Sequence, residues 1–426
     1  MDRLIGFVGI IVLLGLTFLF SNNRRKINYR TVLVGLSLQF FLGILLFKWE
    51  AGNHFIQIVA AKVTSFLFLT DQGTSFLFGN LVNPEMMDTF GFQFAFRVLP
   101  IIIFFASFMG ILYYLGVMQR IVQVFAWTMS KLMKTSGAES LSCSANIFLG
   151  QTEAPLLVRP FLNSCTKSEL HAIMVGGFGT IAGSVMAGYI GMGIPAQHIL
   201  IASVMAAPAS LMIAKILYPE TEVSETQGVI KVPHVDGGSN LLDAASKGVH
   251  DGLHLALNVA AMLVAFITLI ALADKILLVL DRLIDGNLFG GAVLSSGEYS
   301  GFFPGSLKTF FGTIFSPLAY LMGVPMADVY EVGNLLGIKL SVNEFVAYSQ
   351  LAPLIKGGLI SQKAQIMSTY MLCGFANFAS IGIQIGGLSA LAPERRTDFA
   401  KLAFRAMLGG AVVSCITACI AGILVS

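Results

Sequence analysis

Two carboxylates stand where an apolar chain cannot carry them idly. Glu153 lies in GQTEAPLLV, residues 150–158, and Glu344 in NEFVAYSQL, residues 343–351. An unpaired ionised carboxylate costs roughly several kcal/mol or more in an apolar interior, so each must be paired, neutral or solvated. Both stand beside hydrogen-bonding neighbours: Gln151 and Thr152 precede Glu153, and Asn343 precedes Glu344. Carboxylates flanked by amides and hydroxyls can grip hydroxyl groups or the edge of a base. No arginine sits at either polar centre to clamp a carboxylate or phosphate. The pair therefore suits a neutral, multiply hydroxylated solute better than an anion.

The elements that position these groups follow from composition. The chain has 426 residues, of which 56% are hydrophobic and 12% charged, and its mean hydropathy is +0.80. Soluble domains carry about 25% charged residues, and several runs exceed the roughly 18 apolar residues that mark a membrane-spanning helix. The pattern predicts a polytopic, all-α integral membrane protein. A net charge of +3 is too small to point to nucleic acid. Cys143, Cys165, Cys373, Cys415 and Cys419 sit in apolar segments without CxxC spacing, which reads as small buried residues, not disulfides or a metal site. The first apolar run, residues 4–20, has its basic cluster after it and no small-residue cleavage site, so it is expected to be a retained helix.

The positive-inside rule orients the spans. Arg24, Arg25, Lys26 and Arg30 follow the first run, which puts that loop in the cytoplasm and the N-terminus outside. Spans are expected at 31–48 and 94–115, with helices lying at the interface over 54–69 and 118–133. Residues 140–162 are apolar but interrupted by Gly150, Gln151, Thr152, Glu153 and Pro155. Such a segment reads as a re-entrant hairpin, tolerated only where protein or a wet cavity surrounds it. Spans at 172–194 and 199–217 precede a polar loop over 218–240. An amphipathic stretch at 241–250 then leads into a long span to about residue 280. A Phe-rich interfacial element broken by Pro304, Gly305 and Pro317 is expected over 301–324, and a second hairpin over 328–360. The last spans run over 366–388 and 402–425. Eight spans with both termini outside result, and Lys339, Lys356 and Lys363 would lie on the outer side.

The chain also repeats itself. GQTEAPLLV precedes GGFGTIAGSV (176–185), and SVNEFVAYS precedes CGFANFASIG (373–382). Aligning Glu153 with Glu344 sets Thr152 against Asn343; aligning Gly177-Phe178 with Gly374-Phe375 sets Thr180 against Asn377. An odd number of spans separates the hairpins, so the two units would enter from opposite faces. Inverted repeats with broken helices that meet near the midplane mark secondary transporters. Packing alone would explain the glycines but not two matched intramembrane carboxylates.

At these residues the sequence resembles the concentrative nucleoside transporters. Residues 337–348, GIKLSVNEFVAY, match that family's motif G/A-x-K-x-x-x-N-E-F-V-A followed by an aromatic residue or Met, and GQTEAPLLVRP matches its first-hairpin motif. The resemblance implies a homotrimer in the bacterial inner membrane, each protomer pairing a scaffold with a mobile transport domain. It implies nucleobase contacts from Gln151, Thr152 and Glu153, with Val185 lining the base pocket. Glu344, Asn377 and Ser380 would hold the ribose hydroxyls of a uridine-like substrate, and Phe375 would pack against it. The family's sodium site would fall on Asn146 and Thr180 with the carbonyls of Leu149 and Ile181. The expected division is 1–117 scaffold, 118–217 first transport repeat, 218–283 cytoplasmic loop and long scaffold span, and 284–426 second transport repeat.

The expected function is nucleoside import by sodium symport through alternating access, with no enzymatic activity. Proton symport, with Glu153 or Glu344 as carrier, is the alternative; an intramembrane enzyme using both carboxylates as acid and base is a further one. Other signals are discounted. His250 and His254 are four apart but lack a third ligand. The G-x-G of GGFGTIAG follows no strand, and no GxxxxGK[ST] is present. Asp274 and Lys275 are expected to snorkel from the far end of the long span.

Overall fold

Apolar runs in a medium without water must satisfy their backbone groups internally, and here they do so as helices. The computed structural model describes residues 2–86, 89, 91–228 and 238–425. Part of the polar loop expected at 218–240, residues 229–237, lies outside them. The helices, in chain order, begin with α1 (Asp2–Leu19), α2 (Tyr29–Phe47), α3 (Glu50–Leu67), α4 (Thr70–Phe78), α5 (Phe94–Arg97) and α6 (Leu99–Tyr114). Next come α7 (Val117–Met133), α8 (Gly137–Ala145), α9 (Lys167–Gly179), α10 (Gly183–Gly191) and α11 (Ala196–Leu217). The rest are α12 (Leu241–Asp281), α13 (Leu307–Leu321), α14 (Val329–Ser341), α15 (Glu344–Lys356), α16 (Gln362–Leu372), α17 (Phe378–Leu391) and α18 (Arg396–Leu424). No β-strand occurs among the described residues.

Among the described residues, six segments are long and apolar enough to cross a bilayer: Tyr29–Phe47, Phe94–Tyr114, Lys167–Gly191, Ala196–Leu217, Leu241–Leu288 and Pro393–Leu424. Arg3–Leu19 and Phe378–Leu391 are apolar but shorter. The stretch from 241 to 281 is one helix rather than an amphipathic helix leading into a span. At 1.5 Å per residue it is about 60 Å long, twice a hydrocarbon core. It packs on α6 through small residues spaced by four. A Cβ on Gly248 would lie 2.6 Å from the Ala106 carbonyl oxygen, and one on Gly252 would lie 2.8 Å from the Ile103 Cα. Ala244 and Ala256 continue that stripe and are buried. Without a hydrophobic force between helices in lipid, this backbone proximity is what holds them.

Two units share one order: a surface helix, a hairpin, a broken helix and an intact helix. The first is α7, the hairpin of α8 with a 3-10 stretch at Ala154–Phe161, the broken pair α9/α10, and α11. The second is α13, the hairpin α14/α15, the broken pair α16/α17, and α18. Each broken helix packs on the other unit's intact one, α9 on α18 and α16 on α11.

Three further expectations are corrected. Pro317 does not break α13: the Ser316 hydroxyl donates to the Thr313 carbonyl (3.2 Å) that Pro317, lacking an N–H, leaves free. Asp274 does not snorkel; its carboxylate accepts the Leu307 N–H at 2.8 Å and caps α13. Lys339 is not an outer-face charge but is fully buried. The polar loop docks on α8, where Thr226 accepts the Gly137 N–H (2.9 Å) on its carbonyl and the Ala138 N–H (3.1 Å) on its hydroxyl. Glu139 and Glu169 close capping boxes at α8 and α9. Their remaining capacity goes to Lys215 (2.7 Å to Glu139) and to Ser224 and Thr226 (2.5 and 3.1 Å to Glu169). Arg395, before α18, donates to the carbonyls of Asn163 (2.8 Å) and Cys165 (2.7 Å), tying the base of the first hairpin to the second unit.

Candidate functional site

Both helix breaks follow from local sequence. In the first, α9 ends where Thr180 turns extended (φ −127°, ψ 172°), and α10 restarts at Gly183. The glycines admit close neighbours: a Cβ on Gly177 would lie 2.2 Å from Gln384 Nε2, and one on Gly183 2.8 Å from the Phe148 carbonyl oxygen. In the second break, Gly374 takes φ +144°, and its Cβ position lies 2.9 Å from the Phe178 carbonyl oxygen, so only glycine fits. Asn377 then caps α17, its Oδ1 accepting the Ser380 N–H at 2.8 Å. The breaks meet where the Phe375 N–H donates to the Thr180 carbonyl at 3.2 Å. Thr180, paired with Asn377 by alignment, opens its break, whereas Asn377 closes the other.

Beside this junction lies a cavity open on one side, with about 740 Å³ of empty space counted out to its mouth. Gln151, Thr152, Glu153, Val185, Glu344, Phe375, Asn377 and Ser380 all line it. Both carboxylates, Glu153 and Glu344, therefore face one cavity. Glu344 is the first residue of α15, where the positive end of the helix supports a carboxylate. Its Oε1 accepts from the Tyr189 hydroxyl and its Oε2 from Asn377 Nδ2, each at 3.0 Å. A carboxylate has about four acceptor positions, so capacity remains for a ligand. Glu153 Oε2 accepts the Gly150 N–H at 3.1 Å, which closes the hairpin tip on itself.

Sequence reasoning missed several contributors. Asn343 caps α15 through Oδ1, 2.8 Å from the Val346 nitrogen, which leaves its Nδ2 buried, unpartnered and at the cavity wall. Tyr189 carried no charge or motif to flag it; its ring packs against that of Tyr348, the two centroids 4.2 Å apart and the planes tilted by 30°. Leu255, Val259 and Met262 of α12 supply an apolar wall that resembles any lipid-facing stripe in sequence. The Asn-Glu pair was the one available signal, for Asn343.

The residues expected to hold sodium lie at the first break. Asn146, fully buried, donates Nδ2 to the Ser142 carbonyl at 3.0 Å, and its Oδ1 has no partner. Thr180 donates its hydroxyl hydrogen to the Gly176 carbonyl at 2.7 Å, leaving its lone pairs free. A Cβ on Gly176 would lie 3.3 Å from Asn146 Nδ2, so Asn146 packs against the residue whose carbonyl takes the Thr180 hydroxyl. The hairpin tip reaches the break where the Gly183 N–H meets the Phe148 carbonyl at 2.9 Å. Spare oxygens beside unwound carbonyls fit a hard monovalent cation. His250 and His254 stack edge to face at 4.4 Å, and no three-ligand His/Cys/Asp/Glu cluster occurs among the described residues.

Comparison with known proteins agrees with this geometry. Residues 198–422 match the family model described as Na+ dependent nucleoside transporter C-terminus, residues 8–81 its N-terminal counterpart, and residues 95–196 a model described as nucleoside recognition. An uncharacterized transporter of Haemophilus influenzae is 43% identical over 100% of this chain and 98% of its own length. The sodium/nucleoside cotransporter 1 of Rattus norvegicus is 42% identical over 99% of this chain, which spans 64% of that protein. The structure of CNTnw in an inward-facing substrate-bound state superposes with a TM-score of 0.91 at 39% identity, covering 100% of this chain and 98% of that one. A doubly substituted CNTnw in an outward-facing state gives 0.90 at the same identity and coverage. Fold and site thus define a membrane transporter, not an enzyme. The chain belongs to the Na+-dependent, or concentrative, nucleoside transporter family.

Proposed function

We propose that this protein imports nucleosides by sodium symport through elevator-like alternating access. The observation that carries the reading is one cavity lined by polar residues of both hairpins and of the second helix break, with Ala182 and Val185 from the first. Gln151, Thr152, Glu153 and Val185 meet the base, Glu344, Asn377 and Ser380 the ribose hydroxyls, and Phe375 packs against the solute. Sodium binds Asn146 and Thr180 with the carbonyls of Leu149 and Ile181. Bound there, it links the first hairpin tip to the break and so favours the conformation that holds nucleoside. Relatives captured facing inward and outward are consistent with alternating access.

The reading includes eight spans, two re-entrant hairpins entering from opposite faces, and both termini outside a bacterial inner membrane. Residues 1–117 and the long span within 218–283 form the scaffold of a homotrimer. The repeats at 118–217 and 284–426 move against it. Uptake of labelled uridine into sealed proteoliposomes tests this: an inward sodium gradient should drive accumulation of unchanged uridine. A second reading, proton symport, is favoured by Glu153, which has no cationic partner among the described residues. Full uptake driven by a proton gradient without sodium would select it, and chemical conversion of the solute would reject transport.

A further inference from the structure

The two helix breaks meet the same electrostatic demand in different ways. A helix that stops inside a membrane ends in carbonyls carrying about half a negative charge, and they require a donor or a cation. At the first break no side-chain cation meets the freed carbonyls among the described residues: the Thr180 hydroxyl serves the Gly176 carbonyl, and Asn146 Oδ1 is left unpartnered. At the second break the Phe375 N–H, which would close the last turn on the Met371 carbonyl, is turned to Thr180 instead. The Met371 carbonyl accepts from the ammonium of Lys339 at 2.7 Å. That ammonium also donates to Ser414 Oγ at 2.8 Å, and Ser414 passes its own hydrogen to the Cys373 carbonyl at 2.9 Å. Lys339 is fully buried and forms no ion pair among the described residues.

We propose that Lys339 is a tethered cation that permanently fills, in the second repeat, the role a mobile sodium fills in the first. This rests on the sodium reading above. A serine or threonine can satisfy a freed carbonyl without burying a charge, as Thr180 does. An unpaired buried ammonium is costly, so its presence at a helix C-terminus points to a need for positive charge there. Lys339 projects from α14, so it also locks the second hairpin to α16 and α18 at all times. The first hairpin acquires the equivalent tie only when an ion binds between Asn146 and Thr180. Coupling therefore runs through the first hairpin, and only one break is open to a mobile cation.

The test measures uridine binding to the purified full-length protein by calorimetry at a series of sodium concentrations, with choline replacing sodium. The wild-type protein should show a Hill slope for sodium of about one. Lys339→Ser vacates the ammonium position and leaves oxygens around it. Its slope should rise towards about two, with half-saturating sodium raised by roughly tenfold or more. An unchanged slope and affinity, or loss of binding at every sodium concentration in a protein that still melts cooperatively, would overturn the proposal. Should Lys339→Ser not assemble, the reversal potential of wild-type proteoliposomes decides: one sodium per nucleoside supports the tethered cation, and two refute it. Sodium-independent, proton-driven uptake by the wild type would instead reject the sodium reading. Lys339 is then judged by whether Lys339→Ser gains a sodium dependence the wild type lacks; failure to gain one refutes it.

Discussion

Tyr189→Phe isolates one hydrogen bond at the centre of the site. Tyr189 is fully buried, and its hydroxyl donates to Glu344 Oε1 at 3.0 Å. Removing one oxygen leaves the ring packing against Tyr348 (4.2 Å) and Phe345 (5.2 Å) in place, so little cavity or strain is created. Glu344 keeps its second anchor, Asn377 Nδ2 at 3.0 Å, and turns less firmly held. Hydrogen bonds to charged groups contribute about 1.5–3 kcal/mol, while neutral pairs between membrane helices average about 0.6. Glu344 borders an open cavity, where water can replace a lost donor, so the low end applies. About 1.4 kcal/mol is tenfold, and uridine affinity should fall by roughly that factor. Calorimetric titration of wild type, Tyr189→Phe, Glu344→Gln and the double variant forms a cycle. If Tyr189 acts by orienting Glu344, its substitution adds almost nothing in the Glu344→Gln background. Additive losses, or wild-type affinity in Tyr189→Phe, would refute the argument.

Glu344→Gln itself should weaken uridine uptake roughly tenfold or more, on the scale of a charged hydrogen bond; transport assays on protein matched for membrane level check this. Asn146→Ala removes the unpartnered Oδ1 and should raise the sodium needed for half-maximal uptake, read from uptake against sodium concentration. Gly177→Ala places a methyl 2.2 Å from Gln384 Nε2 and 2.9 Å from Gln151 Cβ. It should cost about 1–3 kcal/mol of stability through overpacking and weaken uridine binding with it. Gly382→Ala, with nothing within 4 Å of the added carbon, should leave the melting temperature and affinity nearly unchanged.

Much of the site was legible because charge is so conspicuous in an apolar chain. Glu153 and Glu344 stood out by their desolvation cost, and the repeat paired Thr180 with Asn377, but the spans expected over 172–194 and 366–388 were continuous where the structure breaks them. The same reasoning misplaced Lys339 and Asp274, since a cation or carboxylate near a span end reads as an outward-pointing group unless its acceptor or donor is known. Lys339 meets the Met371 carbonyl, 32 positions on, and Asp274 meets the Leu307 N–H, 33 positions on. Separations of that size carry no periodic signal.

Hydropathy, interruptions and repeat determined by themselves that the chain is helical, that it crosses a membrane, and that two matched segments each set a carboxylate among polar neighbours. Those properties depend on local composition, because lipid cannot satisfy a bare backbone or charge whatever the rest of the fold does. The tertiary structure decided which groups meet. It set Tyr189 against Glu344, turned the Phe375 N–H from its own helix to Thr180, and gave the Met371 carbonyl thus released to a buried lysine. Each of those contacts joins segments distant in sequence; the first two cross from one repeat to the other, and the third ties two helices within the second repeat.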